Sequence, residues 1–398
     1  MLFDDIGRGG MAEIYLARLV TEAGAARHVV VKQILPELAE HSEFAEMLVN
    51  EAKLAARLSH KNVVQVTDLG REGDKLFIAM EYVEGFDLAT LLRRCSQDKV
   101  PLPPEFALLI VGEALAGLDY AHRAKSDEGR PLGVVHRDVS PSNVLVSFEG
   151  QIKVCDFGIA RATEITGADS DQSIKGKAGY MSPEHARGEP SLDARADVFA
   201  AGIVLWELFA GRKLYSSKAG SLIEQARAAE IPTLPARDLP EWSALAAIIN
   251  RALAPNRDDR YASAGAMARD LDDYVRTAKL HASSLRLGEW LTNRFGAEIF
   301  DRRRQRERAA QAMMLGPAVV MVPIAKPLAS AEPDEPQEAP PASLVATSVD
   351  VPEPAASAPA VVRDSTNAPA PANANLGMWV VIACALAAAI VWFLLHGR

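Results

Sequence analysis

Between residues 136 and 158 the chain reads His136-Arg137-Asp138-Val139-Ser140-Pro141-Ser142-Asn143 and then, thirteen residues after Asn143, Asp156-Phe157-Gly158. An acid, an amide and a second acid in this order suit one chemistry. Moving a phosphoryl group needs little covalent help from a protein. It needs a side chain that accepts and orients the nucleophile's proton, and metal ions that neutralise charge on the phosphates. Asp138 fits the first role. Asn143 and Asp156 supply side-chain oxygens, the ligands that a hard cation such as Mg²⁺ prefers. An isolated Asp-Phe-Gly is common by chance; the force of the pattern lies in what precedes it.

Upstream, Ile6-Gly7-Arg8-Gly9-Gly10-Met11-Ala12-Glu13-Ile14 spells G-x-G-x-x-A. Glycines let a backbone approach phosphates without a Cβ in the way. By itself the segment would equally suit a hairpin turn. Lys32 closes the run Val29-Val30-Val31-Lys32, a strand that would bury a lone ammonium unless something negative met it. Glu51, in the helical segment that follows, is a suitable partner. Taken singly, such a pair is more often an unrelated surface lysine and glutamate.

The segments IYLARLV, HVVVKQIL and KLFIAMEYV alternate or run apolar, as strands do, whereas residues 43–58 carry apolar residues at helical spacing. From residue 104 onward the pattern turns mainly helical. The outline is a small sheet lobe over residues 1–80 ahead of a larger helical lobe over 86–276, followed by a helical extension at 277–315.

With these residues in order, residues 1–276 resemble the Hanks-type protein kinases, most of all their bacterial membrane-anchored Ser/Thr members. The resemblance implies a two-lobed α+β kinase fold with ATP between the lobes, and ATP with Mg²⁺ (Mn²⁺ as an alternative) as cofactors. It implies that Lys32, held by Glu51, aligns the α- and β-phosphates, that Asp138 orients the acceptor hydroxyl, and that Asn143 and Asp156 hold the metal. Met80-Glu81-Tyr82-Val83 resembles the hinge, with Met80 as gatekeeper and the backbones of Glu81 and Val83 meeting adenine. Ile6, Ile14 and Leu145 would sandwich the base, Gly7 and Gly9 would lie over the phosphates, and Asp87 stands where an acid commonly meets the ribose. Ser182-Pro183-Glu184 resembles the family's A-P-E, with Glu184 expected to pair with Arg260. Asp197 resembles the helix acid that holds the catalytic loop from behind.

Three positions depart from the pattern. Val30 stands where an alanine usually roofs adenine. Ser140 stands where Ser/Thr members carry a catalytic-loop lysine, and Lys177 stands where a threonine usually bonds that lysine. The last two read as an exchange in which Lys177 reaches the γ-phosphate and Ser140 takes over the threonine's hydrogen bonding. The alternative is a weakened enzyme with a surface lysine at 177. The catalytic loop lacks the A-A-R run of tyrosine kinases, which favours Ser/Thr acceptors. Arg137 beside Asp138 suggests control by phosphorylation of the segment between Asp156 and Glu184, where Ser173, Ser170, Thr166 and Thr163 are candidates. The rival reading from a different class is a membrane-tethered, nucleotide-binding pseudokinase scaffold, supported by Ser140 and opposed by Lys32, Asp138, Asn143 and Asp156.

Beyond the globular part, residues 316–375 are rich in Pro and Ala with scattered acids, a composition expected to stay disordered. Residues 376–396 contain the uncharged run Met378–Leu395, 18 residues long, with Trp379 and Trp392 near its ends. That is near the minimum length for a membrane-spanning helix, with aromatic rings at interfacial positions. The expected localisation is the inner membrane, single-pass, with the kinase part cytoplasmic, where ATP is. The formal net charge of −9 argues against nucleic acid as the main partner. The basic cluster Arg302–Arg308 is interleaved with Glu307 and reads as a solvated helix face. Expected partners are protein substrates with Ser/Thr acceptors, the membrane, and a second copy for trans-autophosphorylation. Cys95, Cys155 and Cys384 are far apart and show no metal-ligand spacing, so they read as buried free thiols.

Overall fold

The computed structural model describes residues 2–8, 12–20, 26–35, 42–72, 75–157 and 178–315. The chain divides into two units, residues 1–320 and 321–398, and every described residue belongs to the first. The expectations for the Pro/Ala-rich stretch and for the apolar run at 378–395 fall outside the described residues. Among the described residues no helix is long and apolar enough to cross a membrane.

Five strands form the small lobe's antiparallel sheet: β1 (Leu2–Arg8), β2 (Ala12–Val20), β3 (Ala26–Ile34), β4 (Val66–Glu72) and β5 (Lys75–Glu81), in the order β1-β2-β3-β5-β4. In β5, Leu76 and Ile78 are buried and Lys75 is exposed, the period of two that puts one face on a core. Helix α1 (Ser42–Ala56) lies between β3 and β4 in the chain and buries Leu48 and Ala52 with Ile34, Leu76 and Ile78. Register fixes two neighbours that matter later: Lys32 stands opposite Ile14 on β2 and Ile78 on β5, and Val30 stands opposite Met80.

The large lobe begins with β6 (Gly85–Asp87), α2 (Leu88–Gln97) and α3 (Pro104–His122). Strands β7 (Val144–Ser147) and β8 (Ile152–Val154) join β6 in a three-stranded sheet. The helices α4 (Pro183–Ala186), α5 (Ala194–Ala210), α6 (Leu222–Ala228), α7 (Trp242–Ala252), α8 (Ala264–Thr277) and α9 (Ser284–Leu315) complete it. Both α3 and α5 are apolar on nearly every face, so both run through the interior. Trp206 and Phe199 of α5 are fully buried, and α3 packs against α5, α8 and β8. Asp87, Asp193 and Ser263 accept the N–H of Thr90, Arg195 and Ala266 and so cap α2, α5 and α8. The small sheet lobe ahead of a helical lobe is the α+β, two-lobed arrangement expected from the sequence.

Two further segments take definite form. The segment between α3 and His136 forms a tight turn, with Lys125 bridging Pro131 and Ser126 N–H donating to Arg130 O at 2.8 Å. The extension is one 32-residue helix, α9, whose Leu287, Leu291, Phe295 and Ile299 are buried against the large lobe. Phe300, which also stands at roughly helical spacing in this stretch, is 55% exposed, because one residue beyond Ile299 turns the side chain away from the stripe. The reading of Arg302–Arg308 as a solvated face holds for Arg302, Arg303, Arg304 and Arg308, which are exposed, while Arg306 departs from it: Arg302 pairs with Glu298, Arg304 with Asp301, and Arg303 and the half-buried Arg306 reach back to Glu84.

Candidate active site

Lys32, only 9% exposed on β3, holds its Nζ 3.1 Å from Asp156 Oδ1. A buried ammonium needs such a partner. Asp156 follows β8 with φ +63°, a left-handed conformation that is costly for a residue with a Cβ and that aims its carboxylate at the small lobe. Next to it, Phe157 is buried and lies 4.6 Å from the His136 ring, centroid to centroid. Glu51 is buried on α1.

Asn143 closes the short turn Pro141–Asn143. Its Nδ2 donates to Asp138 O at 2.7 Å and to Asp138 Oδ2 at 2.9 Å, fixing the loop and its carboxylate together. With both amide hydrogens committed, the amide oxygen is the part of the Asn143 side chain that can ligate a cation. That hard oxygen and the Asp156 carboxylate are a donor set that fits a divalent cation sharing its remaining ligands with phosphates and water. Among the described residues no group of three or more His, Cys, Asp or Glu side chains forms a metal cluster, and a cation bound through phosphates needs none.

The catalytic loop is held from beneath. Asp197, buried at the start of α5, accepts the N–H of His136 through Oδ2 and that of Arg137 through Oδ1, both at 2.8 Å. His122 Nε2 lies 2.7 Å from the same Oδ2. Burial pushes this carboxyl up, but the hydrogen bond from His122 and the charges around it win, and it sits below the usual range. Arg137 adopts φ +66°, so its backbone depends on that anchor. Asp138 N–H donates to His136 Nδ1 at 3.2 Å; Nε2 therefore carries the ring proton and donates to Cys155 O at 2.8 Å, linking the loop to the Asp156 segment. The Ser140 hydroxyl lies 3.0 Å from that of Ser142.

On the adenine side the structure refines the expectation. Glu81 N–H donates to Gln65 O at 2.9 Å, and its carboxylate takes Gln65 N–H and Lys153, both at 2.8 Å. What Glu81 can offer a base is therefore not its N–H. Asp87 is engaged as well, its two oxygens taking Thr90 N–H at 2.8 Å and Thr90 Oγ1 at 2.7 Å. Leu145 on β7 pairs with Asp87, and Gly7 on β1 pairs with Ile14, while Ile6 lies on the same strand. Gly9, Lys177, Thr163, Thr166, Ser170 and Ser173 fall outside the described residues.

After the segment that runs from Asp156, Glu184 and Arg260 form a buried pair through two bonds of 2.7 and 2.8 Å. Tyr180 donates to Glu207 Oε2 at 2.8 Å, and Lys213 joins both, so the turn Ala178–Tyr180 is tied to α5. Sequence reasoning missed the Lys153–Glu81 pair, the His122–Asp197 bond and the grip of α9 on Glu84. The first had a faint signal, a lysine amid the apolar strand Ile152–Val154; the others join residues too distant for any local pattern to show.

This arrangement defines a protein kinase, and the family model for "Protein kinase domain" matches residues 2–271. The chain belongs to that family and carries a Hanks-type domain of the bacterial Ser/Thr group. Serine/threonine-protein kinase PknB of Mycobacterium leprae is 36% identical over 276 residues, covering 68% of this chain and 42% of the relative. A protein named tyrosine-protein kinase MasK, of Myxococcus xanthus, is 39% identical over 308 residues, covering 76% of this chain and 47% of its own length. Among solved structures, the Mycobacterium tuberculosis PknI kinase domain aligns at TM-score 0.54 and 29% identity, over 69% of this chain and 95% of that domain. The chain spans less than half the length of the curated relatives it matches. The family implies ATP and a divalent metal.

Proposed function

We propose that this chain transfers the γ-phosphoryl group of ATP to Ser or Thr hydroxyls of proteins, itself included. The observation that carries the reading is the convergence of Lys32 on Asp156 at 3.1 Å with Asn143 holding Asp138 at 2.9 Å. The Asp138 carboxylate orients the acceptor hydroxyl and takes its proton. Asn143 keeps that carboxylate in place, and Lys32 supplies a fixed positive charge to phosphate oxygens. Mg²⁺, held by Asn143 and Asp156, would neutralise phosphate charge when bound. Lys177 is proposed to supply the cation that Ser140 no longer provides. Phosphorylation among Ser173, Ser170, Thr166 and Thr163 would set activity through Arg137. The uncharged run Met378–Leu395 supports anchoring at the inner membrane with the kinase domain in the cytoplasm, which raises its effective concentration toward membrane-bound substrates and other copies.

A second reading has one observation in its favour. The Myxococcus relative is named a tyrosine-protein kinase, so tyrosine is an acceptor to be tested alongside Ser and Thr. The test is phosphoamino-acid analysis of the full chain incubated with labelled ATP, beside Asp138→Asn. Label on Ser or Thr that vanishes in Asp138→Asn is expected. Label confined to Tyr would replace the acceptor assignment, and no label with ATP still bound would favour the scaffold.

A further inference from the structure

The matched kinase domain ends at residue 271, and α9 begins at Ser284, beyond it. The helix is seated backbone to backbone on the turn between β7 and β8. A Cβ at Gly150, where φ is +79°, would lie 1.8 Å from the Ser284 carbonyl oxygen, and one at Gly288 would lie 2.9 Å from that of Phe148. Both sites therefore require glycine. From that seat the buried stripe Leu287–Leu291–Phe295–Ile299 carries the helix toward the junction of the lobes. Phe295 meets Phe86 of β6 edge to face at 5.5 Å, and Glu298 forks with Arg94 of α2, one bond measuring 2.7 Å.

The next turns reach the connection between lobes. Only Tyr82, Val83 and Glu84 separate β5 from β6. Arg303 Nε donates to Glu84 Oε2 at 2.8 Å, and Arg306 donates both to Glu84 Oε1 and to the Tyr82 hydroxyl. The Arg306 guanidinium also lies 5.2 Å from the Tyr82 ring centroid, and that ring meets His28 of β3 at 6.1 Å. The helix runs beside β1 as well. In an extended segment side chains two apart share a face. One arginine thus grips Tyr82 and Glu84 together, and the residue between them is Val83, whose backbone is read as meeting adenine.

We propose that Arg306, assisted by Arg303, is a positioning residue for nucleotide binding: α9 braces the outer face of the hinge through Tyr82 and Glu84 and so presets the adenine-facing backbone at Val83. The inference rests on the reading of this hinge as the adenine site. Its physical basis is preorganisation. A hinge held before ATP arrives has less freedom to lose when it binds, so affinity rises without a new contact to the ligand. Arg306 is suited to this because its planar fork can serve a carboxylate, a hydroxyl and an aromatic face at once, which an ammonium cannot.

The test compares full-chain wild type, Arg306→Ala, Arg306→Lys, Glu84→Gln and the control Arg304→Ala. Arg304 pairs with Asp301 on the exposed face, away from the hinge. Readouts are KM for ATP against kcat, affinity for a non-hydrolysable ATP analogue, and hydrogen exchange of the amides of residues 82–86. Arg306→Ala and Glu84→Gln are expected to weaken nucleotide affinity about three- to tenfold, with kcat within about twofold and faster exchange at the hinge. Arg306→Lys should recover part of the affinity, and Arg304→Ala should match wild type. Unchanged affinity and exchange in Arg306→Ala would overturn the proposal, as would a fall confined to kcat. If the wild-type chain binds the analogue but transfers no phosphate, the activity reading fails, while affinity and exchange still decide the brace.

Discussion

Arg260 spends all five of its guanidinium hydrogens in the interior: two go to Glu184, at 2.7 and 2.8 Å, and the others to the carbonyls of Ala254, Arg195 and Pro255. The pair ties the residues after the activation segment to the loop between α7 and α8. Its side chains are at most 5% exposed, so neither can be left without the other.

Removing one partner strands a buried charge. Glu184→Ala should therefore destabilise the domain by about 3–5 kcal/mol, and Arg260→Lys should also be costly, since an ammonium has three donors for five acceptors. Burial pushes the Glu184 carboxyl up, but Arg260 outweighs it and holds it below the usual 4.5. A depressed folded value means that the contribution is present above the unfolded value and lost as pH falls through the folded one. The gap in stability between wild type and Glu184→Gln should accordingly narrow as pH is lowered from about 5 toward about 3. Urea unfolding of both at each pH measures this, and a constant gap would contradict it.

Asp197 offers a second test, because its two oxygens serve two different N–H groups. Asp197→Asn keeps one acceptor and turns an amide NH₂ toward the other N–H; Asp197→Ala leaves both unserved. Each buried donor without a partner costs about 1–3 kcal/mol, and Arg137 is the residue whose left-handed backbone is then released. Both variants should lose kcat by more than about tenfold while the affinity for ATP changes less, since Asp197 bonds to the backbone of His136 and Arg137 and not to Lys32 or the hinge. Equal loss in both parameters would point to general unfolding, which circular dichroism would detect.

The two described cysteines should be poor nucleophiles. Burial, with Asp98 nearby, pushes the Cys95 thiol up to about 11. Burial and then the Asp156 charge push the Cys155 thiol well above its ordinary range. Native protein at about pH 8 should alkylate at both positions at least about tenfold more slowly than the same protein in urea, read by mass spectrometry of the two peptides. Because the folded value of Cys95 is raised, any stability that this group confers is complete below the unfolded value of 9.0 and declines as pH rises toward about 11. Fast labelling of native Cys155 would refute the assignment.

Much of this site was legible because its chemistry is carried by short runs whose residue types have few other uses. Asp138, Asn143 and Asp156 stand close in sequence, and Lys32 announces itself as a charge directly after the apolar run Val29–Val31. The Glu184–Arg260 pair, 76 residues apart, was reachable only through the family resemblance. What composition and spacing hid were contacts made by polar side chains across long separations. Arg303 and Arg306 look like a solvated basic run because the acid they meet, Glu84, lies 219 residues away from Arg303. Phe300 follows Ile299 of the buried stripe yet is exposed, because helical spacing assigns a face only to within a residue. Asp87 was read by its place beside the hinge, and its service as the cap of α2 is a local signal that the reading passed over.

The exchange between Ser140 and Lys177 is decided by kinetics. Ser140 is 3% exposed and its hydroxyl is engaged with Ser142, so the catalytic loop itself brings no cation at this position. A clamp on the transferring group is worth several kcal/mol because it acts where charge shifts in the transition state. If Lys177 provides it, Lys177→Ala should lower kcat about a hundredfold while changing KM for ATP far less. Returning the family's usual pair, Ser140→Lys with Lys177→Thr, should then restore at least about a tenth of wild-type kcat, whereas Lys177→Thr alone should stay as slow as Lys177→Ala. A loss below threefold in Lys177→Ala would sink the exchange and leave Lys177 a bystander. A slow Lys177→Ala that the double variant fails to rescue would keep the lysine in the mechanism but deny that the two positions trade one role.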